Sequence, residues 1–287
     1  MFFNGIIILR GDNMPELPEV ETVKEKLKPK LINKRIVSVD VHWPNTIVDI
    51  PVLDFQNNLV NQVFIDIKRR GKWLVFELSN YYLLVHLRME GKFFFKDQSE
   101  EKGKHEHIIF KLDDTELRFH DTRKFGKMYL LNKDELLTRK PLSELGLEPF
   151  DDDLTVTYLK NKYKKKTLPI KIVLLDQKII VGIGNIYADE ILFLSNINPH
   201  CKAQDLKDKE LKAIIDNTKT VLADAIIAGG TTIRSYVSLD NKKGTFQDEL
   251  MVHGRINMPC KVCGTLINKE FIGGRGTYYC SSCQKQK

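Results

Sequence analysis

The chain has 287 residues, 42% of them hydrophobic, and 45 Lys and Arg against 38 Asp and Glu give it a formal charge of +7. That length and apolar content exclude a disordered chain and favour two domains, or one domain with appendages. The positive excess, where clustered, favours a polyanionic partner, nucleic acid or an anionic membrane surface, without choosing between them.

No stretch approaches the roughly 20 apolar residues that span a bilayer. The apolar opening Met1 to Leu9 lacks a basic region and a small-residue cleavage site. A cytoplasmic protein with no membrane association is therefore expected.

In chain order, Pro18 to Lys28 reads as a helix, because Pro18 suits a first turn and Val20, Val23 and Leu27 share one face. Pro29 is expected to end or kink it. From Ile36 to about Leu131 the texture changes to short β-branched and aromatic runs, among them Val63 to Ile67, Trp73 to Leu78, Tyr82 to Leu87 and His107 to Leu112. Gly71, Gly91 and Asp113-Asp114 punctuate them, which predicts a β-sandwich or barrel. After Pro141 the periodicity is helical, in Ile170 to Leu175, Ala188 to Leu194 and Leu206 to Ala228, and Gly229-Gly230 closes that domain. The polar stretch Ser238 to Gly244 reads as a mobile loop.

Cys260-x-x-Cys263 and Cys280-x-x-Cys283 stand sixteen residues apart. Two tight turns at that spacing can present four thiolates tetrahedrally to one Zn²⁺, which with four protein ligands is structural and not a Lewis acid. Buried cysteine pairs or a redox CxxC remain the alternative. Between the pairs, Gly273-Gly274-Arg275-Gly276 lets the backbone approach a partner and leaves one guanidinium projecting. Arg275 is a contact residue on this reading, or an ordinary solvated arginine in a flexible turn.

Met14-Pro15-Glu16-Leu17-Pro18-Glu19-Val20-Glu21 resembles the opening of formamidopyrimidine-DNA glycosylases. The resemblance continues in order through Lys68-Arg69-Arg70-Gly71-Lys72, His86-Leu87-Arg88-Met89, Asp121-Thr122-Arg123-Lys124-Phe125-Gly126, Gly182-Ile183-Gly184-Asn185-Ile186-Tyr187 and the cysteine hairpin. It implies an α+β multidomain fold: an N-terminal β-sandwich with flanking helices (14–131), a helix-two-turn-helix domain (141–230) and a C-terminal zinc finger (250–287). It also implies a damaged double-stranded DNA partner, a monomeric enzyme and one structural zinc.

Residues 1–13 precede the methionine that opens the motif, and are expected to be a misassigned extension, with translation starting at Met14. Removal of that methionine would free Pro15 as an α-amine. Its reference pKa of ~8, against ~10.4 for lysine, leaves more of it unprotonated at neutral pH. As a secondary amine, proline condenses with the sugar C1′ to an iminium that draws electrons from C2′ and drives β- and δ-elimination. By resemblance, Glu16 is the acid/base group, Lys72 assists β-elimination and holds a phosphate, and Arg275 serves δ-elimination. Met89, Arg123 and Phe125 match residues inserted into the duplex where the damaged nucleotide leaves the stack. Asn185, Lys165, His105 and His86 match DNA contacts, and Lys124 stands where the family commonly has a second arginine.

Taken outside that context, Glu16 reads as a solvated first-turn glutamate, Lys72 as a strand-edge lysine, and Met89 and Phe125 as core residues. The implied function is excision of 8-oxoguanine and formamidopyrimidines with strand nicking. An endonuclease VIII-like glycosylase for oxidised pyrimidines and a non-catalytic DNA-binding zinc-finger protein are the alternatives.

Overall fold

Short runs of β-branched and aromatic residues between turn residues pair into two sheets, as such residues fit a pleated, half-buried surface. The computed structural model describes residues 14–231 and 244–285. One sheet has four strands in the order β1 (Ile36–Val41), β7 (Glu106–Leu112), β8 (Glu116–His120) and β6 (Lys92–Lys96). The other has five, in the order β2 (Ile47–Val48), β9 (Lys127–Asn132), β5 (Tyr81–His86), β4 (Trp73–Leu78) and β3 (Phe64–Arg70). The β2/β9 pair is parallel and the remaining pairs are antiparallel. Ile67, Leu74, Phe76, Phe93, Phe110 and Phe119 close the core of this sandwich.

Helix α1 (Leu17–Leu31) joins two cores. Val20, Val23, Leu27 and Leu31 enter the sandwich, while Leu17 enters the helical domain. The helix runs through Pro29 to Leu31, so the proline does not end it. A proline here removes one donor near the helix end, and burial of Leu31 holds the last turn in place. Helix α2 (Val52–Leu59), which no separate signal in the sequence marks, is a flanking helix of this sandwich. Its Phe55 and Leu59 are buried in the sandwich core, so tertiary packing selects helix for a short segment of weak pattern.

The helical domain contains α3 (Val156–Tyr163), α4 (Ile170–Leu174), α5 (Asn185–Leu194) and α6 (Asp208–Ile227). Helix α3 was not separately legible in the sequence; the hydroxyl of Thr155 caps it by accepting the Tyr158 N–H at 3.1 Å. Helix α5 is buried from Ile186 through Phe193, which makes it the centre of the domain. The C-terminal hairpin pairs β10 (Asn268–Ile272) with β11 (Arg275–Tyr279) across a turn in which Gly273 and Gly274 take φ of 56° and 76°. The architecture is thus α+β, with a sandwich, a helical domain and a cysteine hairpin. Residues 1–13 and all of the polar stretch Ser238 to Gly244 except Gly244 lie outside the described residues. Among the described residues no helix is long and apolar enough to cross a membrane.

Candidate active site and nucleic-acid interface

The N-terminus of a helix carries unpaired N–H groups and partial positive charge, and so attracts an anion. At the start of α5 that anion is the carboxylate of Glu16, which accepts the N–H of Gly184 at 2.7 Å and of Ile186 at 2.9 Å. These amides are thus held by an internal side chain. The glycines make the approach possible: a Cβ on Gly184 would lie 2.2 Å from Glu16 Cδ, and one on Gly182 2.5 Å from Leu17 Cδ1. Burial raises the Glu16 carboxyl above the usual carboxylate range, against the lowering effect of Lys72. Glu19 lies behind it. One of its oxygens accepts the Glu16 N–H at 3.0 Å, and the other accepts the Tyr187 hydroxyl at 2.6 Å and the Thr231 N–H at 2.9 Å.

Lys72 sits on the turn between β3 and β4, where Gly71 takes φ of 56°. Glu148, in the connection between the domains, fixes that turn. It accepts the Gly71 N–H at 2.6 Å and also binds Arg70 at 3.0 Å and Arg69 at 2.9 Å. Lys72 is buried, and burial lowers its ammonium below the usual lysine range while Glu16 and Glu19 pull it back up. Such a lysine loses its proton more readily than an exposed one.

Glu16, Lys72, His86, Asn185 and Arg275 line one cleft of about 190 Å³, together with Met14. Five positions scattered over 260 residues of sequence therefore converge. Pro15 itself is buried between Met14 and Glu16. His86 Nδ1 accepts the Arg88 N–H at 3.0 Å, so the neutral ring carries its proton on Nε2. Burial, with Arg88 and Lys72 nearby, pushes the His86 pKa down to about 3.

A second cleft, of about 400 Å³, is lined by Met89, Phe125, Arg88, Lys124 and Arg275. Phe125 is 48% exposed, unlike the core phenylalanines, and the Arg123 guanidinium stacks 4.9 Å from its ring centre. Asp121 shapes this loop: its carboxylate accepts the Arg123 N–H at 3.0 Å and the Gly126 N–H at 2.7 Å. Pro15, His105, Arg123 and Lys165 are not among the residues that line either cleft. His105 packs against the His107 and His120 rings, and Lys165 is exposed beyond α3.

The cysteine hairpin is docked onto this site. Asn185 Nδ2 donates to the Gly276 carbonyl at 2.9 Å, which leaves its buried Oδ1 without a partner among the described residues. A Cβ on Gly273 would stand 2.4 Å from Ile172 Cδ1, so glycine allows the hairpin tip to rest on α4. Gln284, just beyond the last cysteine, accepts the Cys280 N–H and donates to the Ile197 carbonyl, each at 2.9 Å. The Sγ atoms of Cys260, Cys263, Cys280 and Cys283 all lie within 4.8 Å of one another. A tetrahedral ion with metal–sulfur bonds of about 2.3 Å needs edges of roughly 3.8 Å. The Cys263–Cys280 and Cys260–Cys283 pairs, at 3.4 and 4.0 Å, bracket that length, so the four residues fit a structural metal.

The formamidopyrimidine-DNA glycosylase N-terminal domain matches residues 14–128, its H2TH domain residues 145–237, and the zinc finger found in FPG and IleRS residues 259–286. The formamidopyrimidine-DNA glycosylase of Bacillus subtilis is 45% identical over 277 residues, covering 96% of this chain and 100% of the relative. The chain belongs to the formamidopyrimidine-DNA glycosylase family. The family's Listeria monocytogenes member is 46% identical over 273 residues, covering 95% of this chain and 100% of that one. A complex between the Lactococcus lactis Fpg and DNA containing an abasic site superposes with a TM-score of 0.89 at 35% identity, over 94% of this chain and 100% of that one. A complex of the wild-type Lactococcus lactis protein with DNA containing an oxidised pyrimidine gives 0.88 at 34% identity, over 95% and 100%.

As a DNA glycosylase of base-excision repair, the chain owes its site geometry to several residues that sequence reasoning passed over. Glu19 and Glu148 hold backbone amides of distant segments, Asp121 shapes its own loop, and Gln284 ties the last cysteine turn to the distant Ile197 carbonyl. Glu19 and Asp121 stand inside motifs that were legible, but Glu148 and Gln284 carry no local signal.

Proposed function

We propose that this glycosylase excises 8-oxoguanine and formamidopyrimidines from duplex DNA and then cuts the strand by β,δ-elimination, through a Schiff base on the amine of Pro15. The observation that carries this reading is the place of residue 15, between Met14 and Glu16, both of which line the catalytic cleft beside Lys72 and Arg275. One solved relative, a Lactococcus lactis FPG mutant, is described in complex with Fapy-dG containing DNA.

In the proposed sequence the amine attacks C1′ and the bond to the base breaks. The base leaves with the bonding electrons and takes up a proton. Opening of the sugar then gives the iminium. Loss of a proton from C2′ expels the 3′ phosphate, loss of one from C4′ expels the 5′ phosphate, and water releases the enzyme. Glu16, held protonated more readily by burial, is the proton carrier. Lys72 takes part in β-elimination and Arg275 in δ-elimination. Met89 and Phe125 fill the space left by the everted nucleotide, and Arg123 offers donors to the orphaned cytosine. His86, Asn185, His105 and Lys165 meet DNA, with Lys165 and His105 reaching it outside the two clefts. One Zn²⁺ on Cys260, Cys263, Cys280 and Cys283 holds the hairpin that carries Arg275.

The chemistry requires Pro15 to be the amino terminus, hence initiation at Met14 and removal of that methionine. A peptide joining Asn13 to Pro15 in active enzyme from its native gene would contradict this. The main test is borohydride trapping of protein beginning at Pro15 on an 8-oxoguanine:cytosine duplex. A covalent adduct is expected, and its absence would leave a DNA-binding protein without this activity. The oxidised-pyrimidine DNA in a relative's complex favours one second reading, an endonuclease VIII-like preference. Faster trapping on a thymine glycol duplex would select it.

A further inference from the structure

Two residues with side chains place their backbones in the left-handed region immediately before an apolar residue of the second cleft. Arg88, at φ 53°, precedes Met89, and Lys124, at φ 60°, precedes Phe125. Such a backbone is unfavourable for any residue with a Cβ, whereas glycine adopts it freely. Lys124 has a local partner, since its Nζ lies 3.8 Å from the centre of the Trp43 ring. Arg88 has none of that kind.

The turn that holds Arg88 is built without its side chain. Gly91 N–H donates to the Leu87 carbonyl at 2.9 Å, and the Arg88 N–H donates to His86 Nδ1 at 3.0 Å. The guanidinium is exposed, and among the described residues it has no hydrogen-bond or ion-pair partner. Strain kept where glycine would serve points to a use for the side chain.

Its location defines that use. Arg88 lies on the lip shared by the two clefts, with Met14 and Arg275. Arg88, Lys72 and Arg275 bring three cationic side chains to the catalytic cleft, and the carboxylate of Glu16 is already bound to backbone amides. Converging donors of this kind, one of them a planar fork, suit a phosphate. We propose that Arg88 is a phosphate-binding residue that grips the lesion strand beside the everted nucleotide, and so fixes the base of the Met89 wedge. This rests on the function proposed above.

The test is the salt dependence of binding to a duplex carrying a tetrahydrofuran abasic analogue opposite cytosine. Each neutralised phosphate adds about 0.9 to the slope of log K against log salt. Arg88→Gly keeps the turn and removes the cation. Its slope is expected to fall by about 0.9, with a melting temperature equal to or above that of the wild type. Arg88→Lys should restore the slope, and Met89→Ala should weaken binding without changing it. A wild-type slope in Arg88→Gly overturns the proposal while leaving the function intact. A wild-type protein with no affinity for the duplex overturns both.

Discussion

The Glu16 carboxylate and the N–H of Ile186 meet at 2.9 Å across 170 positions of sequence, and this bond joins the first helix of the chain to the central helix of the second domain. It makes the proposed proton carrier an anchor between domains as well. Glu16→Gln keeps the shape but offers one acceptor where there were two, and turns an amide against a backbone N–H. Single-turnover excision is expected to fall by roughly 100-fold or more. Stability should drop by about 1–3 kcal/mol, read from thermal unfolding.

Gly184→Ala approaches the same contact from the other side. The added methyl would stand 2.2 Å from Glu16 Cδ, and the carboxylate is bound on the amides and cannot swing away freely. Overpacking of this kind costs about 1–3 kcal/mol. Excision should fall together with stability, and wild-type excision in this variant would show that the Glu16 position is not critical.

His86 makes a pH prediction. Its pKa is about 3 in the folded chain against about 6.5 unfolded. Between those values the unfolded state binds a proton that the folded state refuses, so stability rises with pH across this window and is lost on acidification. The slope approaches 1.4 kcal/mol per pH unit. His86→Asn, whose side-chain oxygen can accept the Arg88 N–H, should remove that part of the acid sensitivity. Equal slopes for the two proteins between pH 6 and about 4 would contradict the shift.

Glu148→Gln loosens the turn that carries Lys72 by weakening its hold on Arg69, Arg70 and the Gly71 N–H. A loss of about 1–3 kcal/mol is expected. The β-elimination step on a preformed abasic site should slow, while damaged-duplex affinity changes less. A pure affinity defect would refute the positioning role.

Metal content gives the last prediction. Elemental analysis is expected to find one zinc per chain, and Cys260→Ser should lower it. Because Asn185 binds Gly276 of the hairpin, the loss should extend to the start of α5 and weaken binding to damaged DNA. Unchanged affinity in metal-free protein would remove the structural role given to the ion.

The sequence by itself determined the broad order of a first helix, a β-rich stretch, a helical stretch and a cysteine module, together with the cysteine quartet and the identity of the motif residues. Those signals are local: Pro18 at a helix start, β-branched runs, and CxxC spacing each act within a few residues. Tertiary structure alone decided that Phe55 and Leu59 belong to a helix, that α1 continues through Pro29, and that the amides at Gly184 and Ile186 serve Glu16. It also decided which DNA-contact residues share a cleft and which, His105, Arg123 and Lys165, stand outside. The physical reason is burial. A carboxylate taken out of water, fully as in Glu16 and Glu19 or partly as in Glu148, must find donors wherever the fold supplies them, and among those donors are backbone amides that leave no trace in side-chain identity.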